Sequence, residues 1–174
     1  AGKTHLLRYI EKLGYATFSC DDYIKLLYQD KLIVTRILQQ ITALKEFNVP
    51  KLAEIIYNDS FARKKLEAII HPLVVQGLKE FEGQHGDESL IFTEIPLVYE
   101  ANLQKNFRHV ICITCPRHIR LQRAQLRKST ADLFIKIESA QWPEEEKMIL
   151  ADFVLASDDS IESNFTKIIE QISS

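Results

Sequence analysis

The hydrophobic positions of the chain follow two spacings, one typical of helices and one typical of buried strands. Helical spacing follows the opening Gly-Lys-Thr, with apolar residues at Leu6, Leu7, Ile10 and Leu13. The sequence predicts strands at the short and nearly continuous apolar runs, which are residues 15–20, 90–95, 109–114 and 152–156. Runs of this kind are expected of parallel strands covered on both faces, and they predict an α/β fold.

Residues 23 to 87 carry a helical pattern almost throughout and need no strand. A helical stretch of this size between two strands is too long for a simple crossover, so it predicts a substrate-binding or lid-like insertion. Pro72 disfavours helix at His71, which predicts a turn there, between one helix that ends at Ile70 and another that starts at Leu73. A histidine at such a junction is more often structural than functional, and its residue type alone leaves both roles open.

The last part of the chain alternates helices with strands. Helical crossovers are expected between the strands at 90–95 and 109–114. The other predicted helices are a basic helix after Pro116, a helix from a cap at 129–132 to about Gln141, a helix with an acidic first turn after Pro143, and a closing helix over 161–172. The polar residues from Ser157 to Ser160 predict a turn before that last helix.

Length and composition suit one ordinary globular domain over residues 1–174. The chain has 174 residues, of which 46% are hydrophobic and 26% charged, and its formal net charge is −2. This balance predicts neither a nucleic-acid surface nor a membrane surface. The sequence has no apolar run of roughly 18 residues and no signal peptide at its start, so we expect a cytoplasmic protein.

Three cysteines, Cys20, Cys112 and Cys115, all lie in or beside apolar runs that predict strands. An odd number in such segments predicts reduced, buried thiols. The C-x-x-C spacing of Cys112 and Cys115 also occurs in redox and zinc sites. However, positions three apart on a strand face opposite sides, and there is no second pair, so we favour a structural role.

The opening Gly2, Lys3 and Thr4 match the second half of the phosphate-binding motif G-x-x-x-x-G-K-[ST]. In that motif, backbone N–H groups at a helix N-terminus hold phosphates, the lysine reaches the β- and γ-phosphates, and the hydroxyl binds Mg²⁺. A tripeptide is weak evidence by itself, and a solvated Lys3 in a disordered terminus is the alternative.

Acidic side chains follow two of the predicted strands. Asp21 and Asp22 close the first, and Glu94 lies near the end of the second. Ligands bind at the carboxyl ends of strands in open α/β sheets, so these side chains are candidates for chemistry. Asp21 could instead cap a helix that starts near Tyr23. A buried Glu94 would be costly without partners, which favours a function for it.

A basic run after Pro116 places Arg120, Arg123 and Arg127 on one helix face. A solvated face is the commoner meaning of such a run. Because no glutamate lies between residues 117 and 128, ion pairs within the helix do not account for it, and the pattern suits phosphate clamping.

Taken together, these features resemble a P-loop kinase of the nucleoside-monophosphate kinase type, and most closely the dephospho-CoA kinase family. The resemblance covers nearly the whole chain. Residues 66–74 (LEAIIHPLV) are similar to the family's L-E-x-I-x-H-P-L-I, residues 94–100 (EIPLVYE) to D-x-P-L-L-F-E, and Ala140-Gln141 with residues 151–154 (ADFV) to A-Q…A-D-x-V-I. Three matches in the right order are much more specific than Gly-Lys-Thr.

The resemblance implies a three-layer α/β P-loop kinase fold, in which a parallel sheet is flanked by helices. It also implies a helical acceptor-binding insertion at about 23–87 and an Arg-bearing lid at about 117–141. The implied reaction is ATP-dependent phosphorylation of the ribose 3′-hydroxyl of dephospho-CoA, the last step of coenzyme A biosynthesis. We expect a small-molecule substrate, no nucleic-acid or membrane partner, and a monomer or weak homo-oligomer.

The resemblance also assigns roles to single residues. Gly2, Lys3, Thr4, Arg123 and Ser157 would bind ATP, with Mg²⁺ on Thr4 and with Asp22 or Glu94 as further candidates through water. Asp22 would be the general base, and Arg123 and Arg127 would stabilise the transferring phosphoryl group. Lys3 would act on the same phosphates. The acceptor site would comprise Asp22, His71, Arg63 and Glu94.

The chain departs from the family pattern at several positions. The first Asp of the family's D-A-D is Cys20, which leaves Asp21 as a displaced second carboxylate that would face the other way on a strand. The family's Asp-Arg pair is Asn48-Val49, its Asn-x-Gly is residues 157–159 (Ser-Asp-Asp), and Glu94 replaces an Asp.

A P-loop also requires a strand and a first glycine before Ala1, so we expect the natural protein to extend upstream by roughly ten residues. The alternatives are a kinase of another small hydroxyl or nucleotide acceptor, and a degenerate, non-catalytic P-loop module. The second alternative would hold if Ala1 were the natural start.

Overall fold

The computed structural model describes residues 2–126, 130–158 and 160–173. Arg127, Ser129 and Asp159, which carry expectations from the sequence, lie outside these residues. The chain divides into two compact units, one formed by residues 15–96 and the other by residues 1–14 together with 97–174. The expectation of a single domain over residues 1–174 stays a prediction.

The unit of residues 15–96 contains a parallel strand pair. Strand β1, Ala16–Ser19, pairs with β2, Ile91–Glu94, and the register runs from Ala16 opposite Ile91 to Ser19 opposite Glu94. Both strands were predicted from their apolar runs, and each is one residue shorter at either end than the run. The parallel register confirms that the carboxyl ends of both strands, with Ser19 and Glu94, lie at one edge.

Helices fill the segment between these strands, as the pattern predicted. They are α2 (Cys20–Leu27), α3 (Lys31–Gln40), α4 (Val49–Asn58) and α5 (Ser60–Gln84). Their apolar faces form one core, in which Ile37 and Leu52 are fully buried. Side chains of Asp30, Asn48 and Asp59 cap α3, α4 and α5, and such caps stabilise a helix by about 1 kcal/mol each.

The prediction of a turn at His71-Pro72 is wrong, because α5 continues through Pro72 to Gln84. A proline inside a helix removes one backbone hydrogen bond and disfavours helix at the preceding residue. Here Ile69, Ile70 and Val74 are buried in the core on either side of the proline. Their burial offsets the local penalty, so His71 is an exposed position within a helix and not a junction between elements.

The prediction that Cys20 ends a strand is also wrong, since Cys20 is the first residue of α2. The N-cap is Ser19, whose hydroxyl accepts a hydrogen bond from the backbone N–H of Asp22. Asp21 is therefore not the cap. Both aspartates lie in the first helical turn, where negative charge interacts favourably with the helix dipole.

The second unit contains another parallel pair, β3 (Ile111–Thr114) with β4 (Phe153–Ala156). Its helices are α1 (Lys3–Lys12), α6 (Arg117–Leu126), α7 (Ala131–Ser139), α8 (Glu144–Leu150) and α9 (Ile161–Ile172). The bounds agree closely with the predicted ones, and Thr130 caps α7 within the predicted capping segment. Phe165 of α9 is fully buried and packs edge-on against Tyr9 of α1.

The expectation of helical crossovers between β2 and β3 is wrong. Residues 95–110, all of them described, contain turns and one 3₁₀ helix, Gln104–Asn106, but no α-helix. Glu100 anchors this connection instead, because its Oε1 accepts hydrogen bonds from Lys147 Nζ at 2.6 Å and from the backbone N–H of Trp142 at 2.8 Å. The Trp142 ring stacks on Tyr99.

Candidate active site

Helix α1 begins with a glycine in a conformation that other residues rarely adopt. Gly2 is the N-cap of α1 with φ 87° and ψ 1°, and its carbonyl accepts the first helical hydrogen bond from Leu6. Glycine offers no capping side chain, and the first turn of α1 contains no acidic residue to neutralise this helix end. The N–H groups of a first helical turn have no partner within the helix, which makes them an anion site.

Gly2 also lies directly against Ser157, the residue that follows β4. A Cβ on residue 2 would lie 2.2 Å from the Ser157 hydroxyl oxygen and 3.0 Å from its Cβ, so only glycine fits here. The backbone N–H of Ser157 donates to the carbonyl of Thr114 at the end of β3, at 2.8 Å. The start of α1 therefore lies at the carboxyl edge of the β3–β4 pair, where ligands bind in folds of this class.

Arg123 of α6 reaches the same place. Its Nη1 donates to Ser157 Oγ at 2.8 Å and lies 3.6 Å from Cys115 Sγ, and its Nη2 donates to the Ser157 carbonyl at 3.4 Å. The predicted residues Gly2, Arg123 and Ser157 are thus brought together. A guanidinium beside a helix N-terminus suits a phosphate group.

Lys3 and Thr4 occupy the first turn of α1 that Gly2 caps. Burial raises the pKa of the Cys112 thiol on β3, and Glu144 adds to this, while Lys147 and Lys3 oppose it. The Lys3 charge is thus near β3. The described cysteines are all free; Cys20 and Cys115 are buried, as expected from the sequence, whereas Cys112 is half-buried.

The interpretation of the basic run as one phosphate-binding face needs correction. Arg117 and Arg120 are paired with carboxylates from other helices, Glu138 of α7 and Glu144 of α8. These carboxylates lie beyond the run itself, so inspection of residues 117–128 alone missed them. Arg123 is the described arginine of this run that reaches the start of α1, and Arg127 lies outside the described residues.

In the unit of residues 15–96, Asp22 is at the third position of α2 and its side chain is 66% exposed. It forms an ion pair with Lys25, three residues later. The hydrogen bond that Lys25 Nζ donates to the Asp22 carboxylate, and then the charge of Asp22, raise the pKa of Lys25, with smaller contributions from Asp21 and Glu94. These charged groups therefore share the carboxyl ends of β1 and β2, where the sequence placed candidate chemistry.

Glu94 is buried at the end of β2, opposite Ser19 in the register. Burial raises the pKa of the Cys20 thiol to about 12, and the charges of Asp21 and Glu94 contribute to this rise. The expectation of a buried acidic residue at this strand end is confirmed. A carboxylate is expensive to bury, so its presence at the edge with Asp21 and Asp22 is a feature that packing alone does not explain.

His71 and Arg63 both lie on α5 but eight residues apart, which corresponds to roughly 12 Å along a helix axis. The structure does not bring these two side chains into contact. Arg63 is 3.9 Å from Glu67 on the next turn. Burial raises the pKa of Tyr57, Asp21 adds to this, and Arg63 opposes it, so the Arg63 charge acts in the neighbourhood of Asp21.

The sequence analysis missed Lys25, which pairs with Asp22, and Tyr57, whose pKa is affected by the charge of Asp21. Lys25 follows Asp22 by three positions, a spacing that pairs opposite charges on a helix, so a signal was present. Tyr57 lies on α4, two helices further along the chain than Asp22, and no local pattern connects the two.

Known proteins that are similar to this chain carry the same family name. The family model described as dephospho-CoA kinase matches residues 1–163. A protein named dephospho-CoA kinase from Rickettsia typhi is 38% identical over 99% of this chain and 92% of its own length. One of the same name from Rickettsia bellii is 40% identical over 90% of this chain and 83% of its own length.

Solved structures agree on the fold. The dephospho-CoA kinase from Campylobacter jejuni aligns with a TM-score of 0.64 and 25% identity, over 99% of this chain and 92% of that one. A crystal structure from Thermus thermophilus aligns with a TM-score of 0.80 over 99% of this chain and 93% of that one, at 24% identity. The family model matches residues 1–163 of the 174, and a curated relative is 38% identical over 99% of the chain. The chain therefore belongs to the dephospho-CoA kinase family.

Proposed function

We propose that this protein transfers the γ-phosphoryl group of ATP to the ribose 3′-hydroxyl of dephospho-CoA, which is the last step of coenzyme A biosynthesis. The observation that carries the proposal is the N-terminus of α1, where Gly2 meets Ser157 and Arg123 adds a guanidinium. Phosphoryl transfer depends mostly on positioning and on charge stabilisation, and this arrangement suits both.

Gly2, Lys3 and Thr4 bind the phosphates of ATP, through the first-turn N–H groups and the Lys3 ammonium. Ser157 borders this site because its hydroxyl fills the space that Gly2 leaves open. From its place beside Ser157, Arg123 stabilises the equatorial charge of the transferring phosphoryl group, and we assign Arg127 the same role from the sequence.

Asp22 accepts the proton of the attacking hydroxyl. Support comes from its place in the first turn of α2, its exposed carboxylate, and the strand-end location that it shares with Glu94. Glu94, His71 and Arg63 contact the acceptor in this proposal. His71 is exposed on α5 and is available to a ligand.

The hydroxyl of Thr4 and the carboxylates of Asp22 and Glu94 are oxygen donors, the ligand type that suits Mg²⁺. Among the described residues there is no group of three or more His, Cys, Asp or Glu side chains that would hold a metal by themselves. Mg²⁺ is usually held by one or two protein oxygens together with water and substrate phosphates, so the Thr4 hydroxyl fits this ion, and Asp22 or Glu94 are further candidates through water. When bound, Mg²⁺ neutralises charge on the β- and γ-phosphates.

A coupled assay of ADP release tests the proposal directly. We expect ATP turnover that depends on dephospho-CoA and that yields a product phosphorylated at the 3′-hydroxyl, identified by mass spectrometry and phosphorus NMR. Parallel reactions with adenosine, AMP and pantetheine phosphate test other acceptors. Turnover with one of these and not with dephospho-CoA would refute the acceptor, and ATP binding without turnover on any acceptor would favour a non-catalytic module.

A further inference from the structure

A single guanidinium joins α6 to two other helices. Arg120 Nη2 lies 3.1 Å from Glu138 Oε1, at the end of α7, and its Nη1 lies 2.6 Å from Glu144 Oε2, at the start of α8. The Arg120 side chain is 26% exposed, and the carboxylates are 32% and 21% exposed. Half-buried ion pairs that are held by a planar guanidinium fork have better defined geometry than solvated surface pairs.

The Glu144 carboxylate extends this connection to the sheet. Its second oxygen, Oε1, accepts a hydrogen bond from the backbone N–H of Cys115 at 3.0 Å. Cys115 is buried and directly follows β3. Arg120 is therefore connected through one carboxylate to the carboxyl end of β3, at the same edge as the start of α1.

Arg123 follows Arg120 by three residues on α6, so the two side chains are one turn apart. The Arg123 guanidinium donates to Ser157 and approaches the sulfur of the same Cys115 whose N–H is bound to Glu144. Any rotation of α6 about its axis would move both arginines together. The two carboxylates on Arg120 oppose that rotation.

We propose that Arg120 is a positioning residue for phosphoryl transfer, which holds α6 through Glu138 and Glu144 so that Arg123 is placed at Ser157 beside Gly2. The proposal rests on the proposed function, because the purpose of the placement is to bring Arg123 to the transferring phosphoryl group. Arg120 itself does not contact the nucleotide. A misplacement of about 1 Å in a catalytic group can lower a rate by roughly a hundredfold, so a support of this kind has a measurable effect.

The central experiment is a double-mutant cycle on kcat with Arg120→Met and Arg123→Met, which keep much of each side chain's apolar length. Arg120→Met should lower kcat by roughly tenfold to a hundredfold with little change in the KM for ATP. In the Arg123→Met background the same Arg120→Met substitution should change kcat very little, because its effect passes through Arg123. Equal losses in the two backgrounds would overturn the proposal.

Arg117 offers a matched control on the same helix. It binds the same Glu138, through Nε to Oε2 at 2.9 Å, but it is 56% exposed and its described ion pair is with Glu138 alone. Arg117→Met should leave kcat close to that of the unmodified protein. Arg120→Lys and Glu144→Gln should give intermediate losses, because a lysine cannot bridge both carboxylates as a fork, and glutamine keeps an acceptor for Cys115 without the charge.

A structural readout separates this proposal from the proposed function. Crystal structures of the unmodified protein and of Arg120→Met, both without nucleotide, should show Arg123 on Ser157 in the first and displaced in the second. If Arg123 still donates to Ser157 in the variant, Arg120 does not position it. If the unmodified protein lacks dephospho-CoA kinase activity, the proposed function fails. The comparison of the two crystal structures still tests whether Arg120 positions Arg123.

Discussion

Gly2 and Ser157 lie so close together that a Cβ on residue 2 would be 2.2 Å from the Ser157 hydroxyl oxygen. Gly2 also has φ 87°, a conformation that favours glycine. Two separate physical constraints, backbone conformation and contact, therefore require glycine at the start of α1. Only the contact with Ser157 involves the candidate active site, so a glycine with positive φ elsewhere in the chain allows the two constraints to be tested separately.

Gly2→Ala should weaken ATP binding by tenfold or more, equivalent to about 1.4 kcal/mol, because the added methyl group pushes Ser157 or the helix start away from its position. Isothermal titration calorimetry with ATP and with a non-hydrolysable analogue measures the effect. Gly14→Ala is the control, because Gly14 has φ 90° but a methyl group added there would meet none of the described residues within 4 Å, apart from its chain neighbours.

The control variant should lose about 1–2 kcal/mol of unfolding free energy from its left-handed backbone and should bind ATP normally. Unfolding in urea, followed by circular dichroism, measures this loss. If Gly2→Ala bound ATP as tightly as Gly14→Ala, the close contact with Ser157 would have no role in the site.

Asp22→Asn should lower kcat by roughly 10²- to 10⁴-fold, which is the contribution typical of a general base. The fold should be retained, since the side chain is exposed and the cap of α2 is the Ser19 hydroxyl. Steady-state kinetics with ATP and dephospho-CoA provide the measurement.

Asp21→Asn is the matched control for Asp22. The neighbouring position lies in the same helical turn but about 100° further around the axis, so it should retain most of the activity. Full activity of Asp22→Asn, or an equal loss in both variants, would exclude Asp22 as the base.

His71→Ala should raise the KM for dephospho-CoA by roughly tenfold to a hundredfold, since a hydrogen bond to a charged group contributes about 1.5–3 kcal/mol. Because His71 is exposed, the unfolding free energy should change by less than about 0.5 kcal/mol. Kinetics at fixed ATP and urea unfolding measure the two quantities.

His85→Ala serves as the comparison. His85 Nδ1 lies 2.7 Å from Glu88 Oε1 and its ring packs against Phe81, so this variant should lose stability and keep the KM for dephospho-CoA. An unchanged KM in His71→Ala would remove His71 from the acceptor site.

The Cys20 thiol should make stability fall at alkaline pH. Its pKa is raised from 9.0 to about 12 in the folded protein, mainly by burial, so the folded state keeps a proton that the unfolded state releases. The contribution of this thiol to stability is therefore fully present below pH 9 and is lost as the pH rises towards 12.

Urea unfolding at about pH 8 and about pH 10, on either side of the ordinary thiol pKa, tests this with Cys20→Ala as the reference. The unmodified protein should lose more unfolding free energy between the two pH values than the variant, in which the other titrating groups are the same. Parallel losses in the two proteins would show that Cys20 does not titrate as its burial requires.

Local patterns were sufficient for features whose causes lie within a few residues. The apolar runs identified the strands, and the spacing of apolar residues identified α1 and the closing helix α9 within about two residues. Ser19 and Asp22 match the helix-capping pattern [ST]-x-x-[DE], so even the missed start of α2 had a signal in the sequence. The pairing of Asp22 with Lys25 was readable in the same way.

Features that depend on residues distant in the sequence could not be predicted from local patterns. Helix α5 continues through Pro72 because Ile69, Ile70 and Val74 are buried against other helices, and a local rule cannot weigh that burial. The connection between β2 and β3 has no α-helix in the described residues 95–110, where Lys147 and Trp142, far along the chain, hold Glu100 instead.

The sequence by itself determined the family of this protein, most of its element boundaries and the residue types of its site. The tertiary structure decided the role of Arg120, which helical spacing had placed on one face with Arg123. The family resemblance assigns Arg123 alone of these two to the phosphates, and the structure shows why Arg120 differs: Glu138 and Glu144 neutralise Arg120, while Arg123 reaches Ser157 beside Gly2. The physical reason is that charge pairing depends on distance in space, and folding brings carboxylates from later helices to α6.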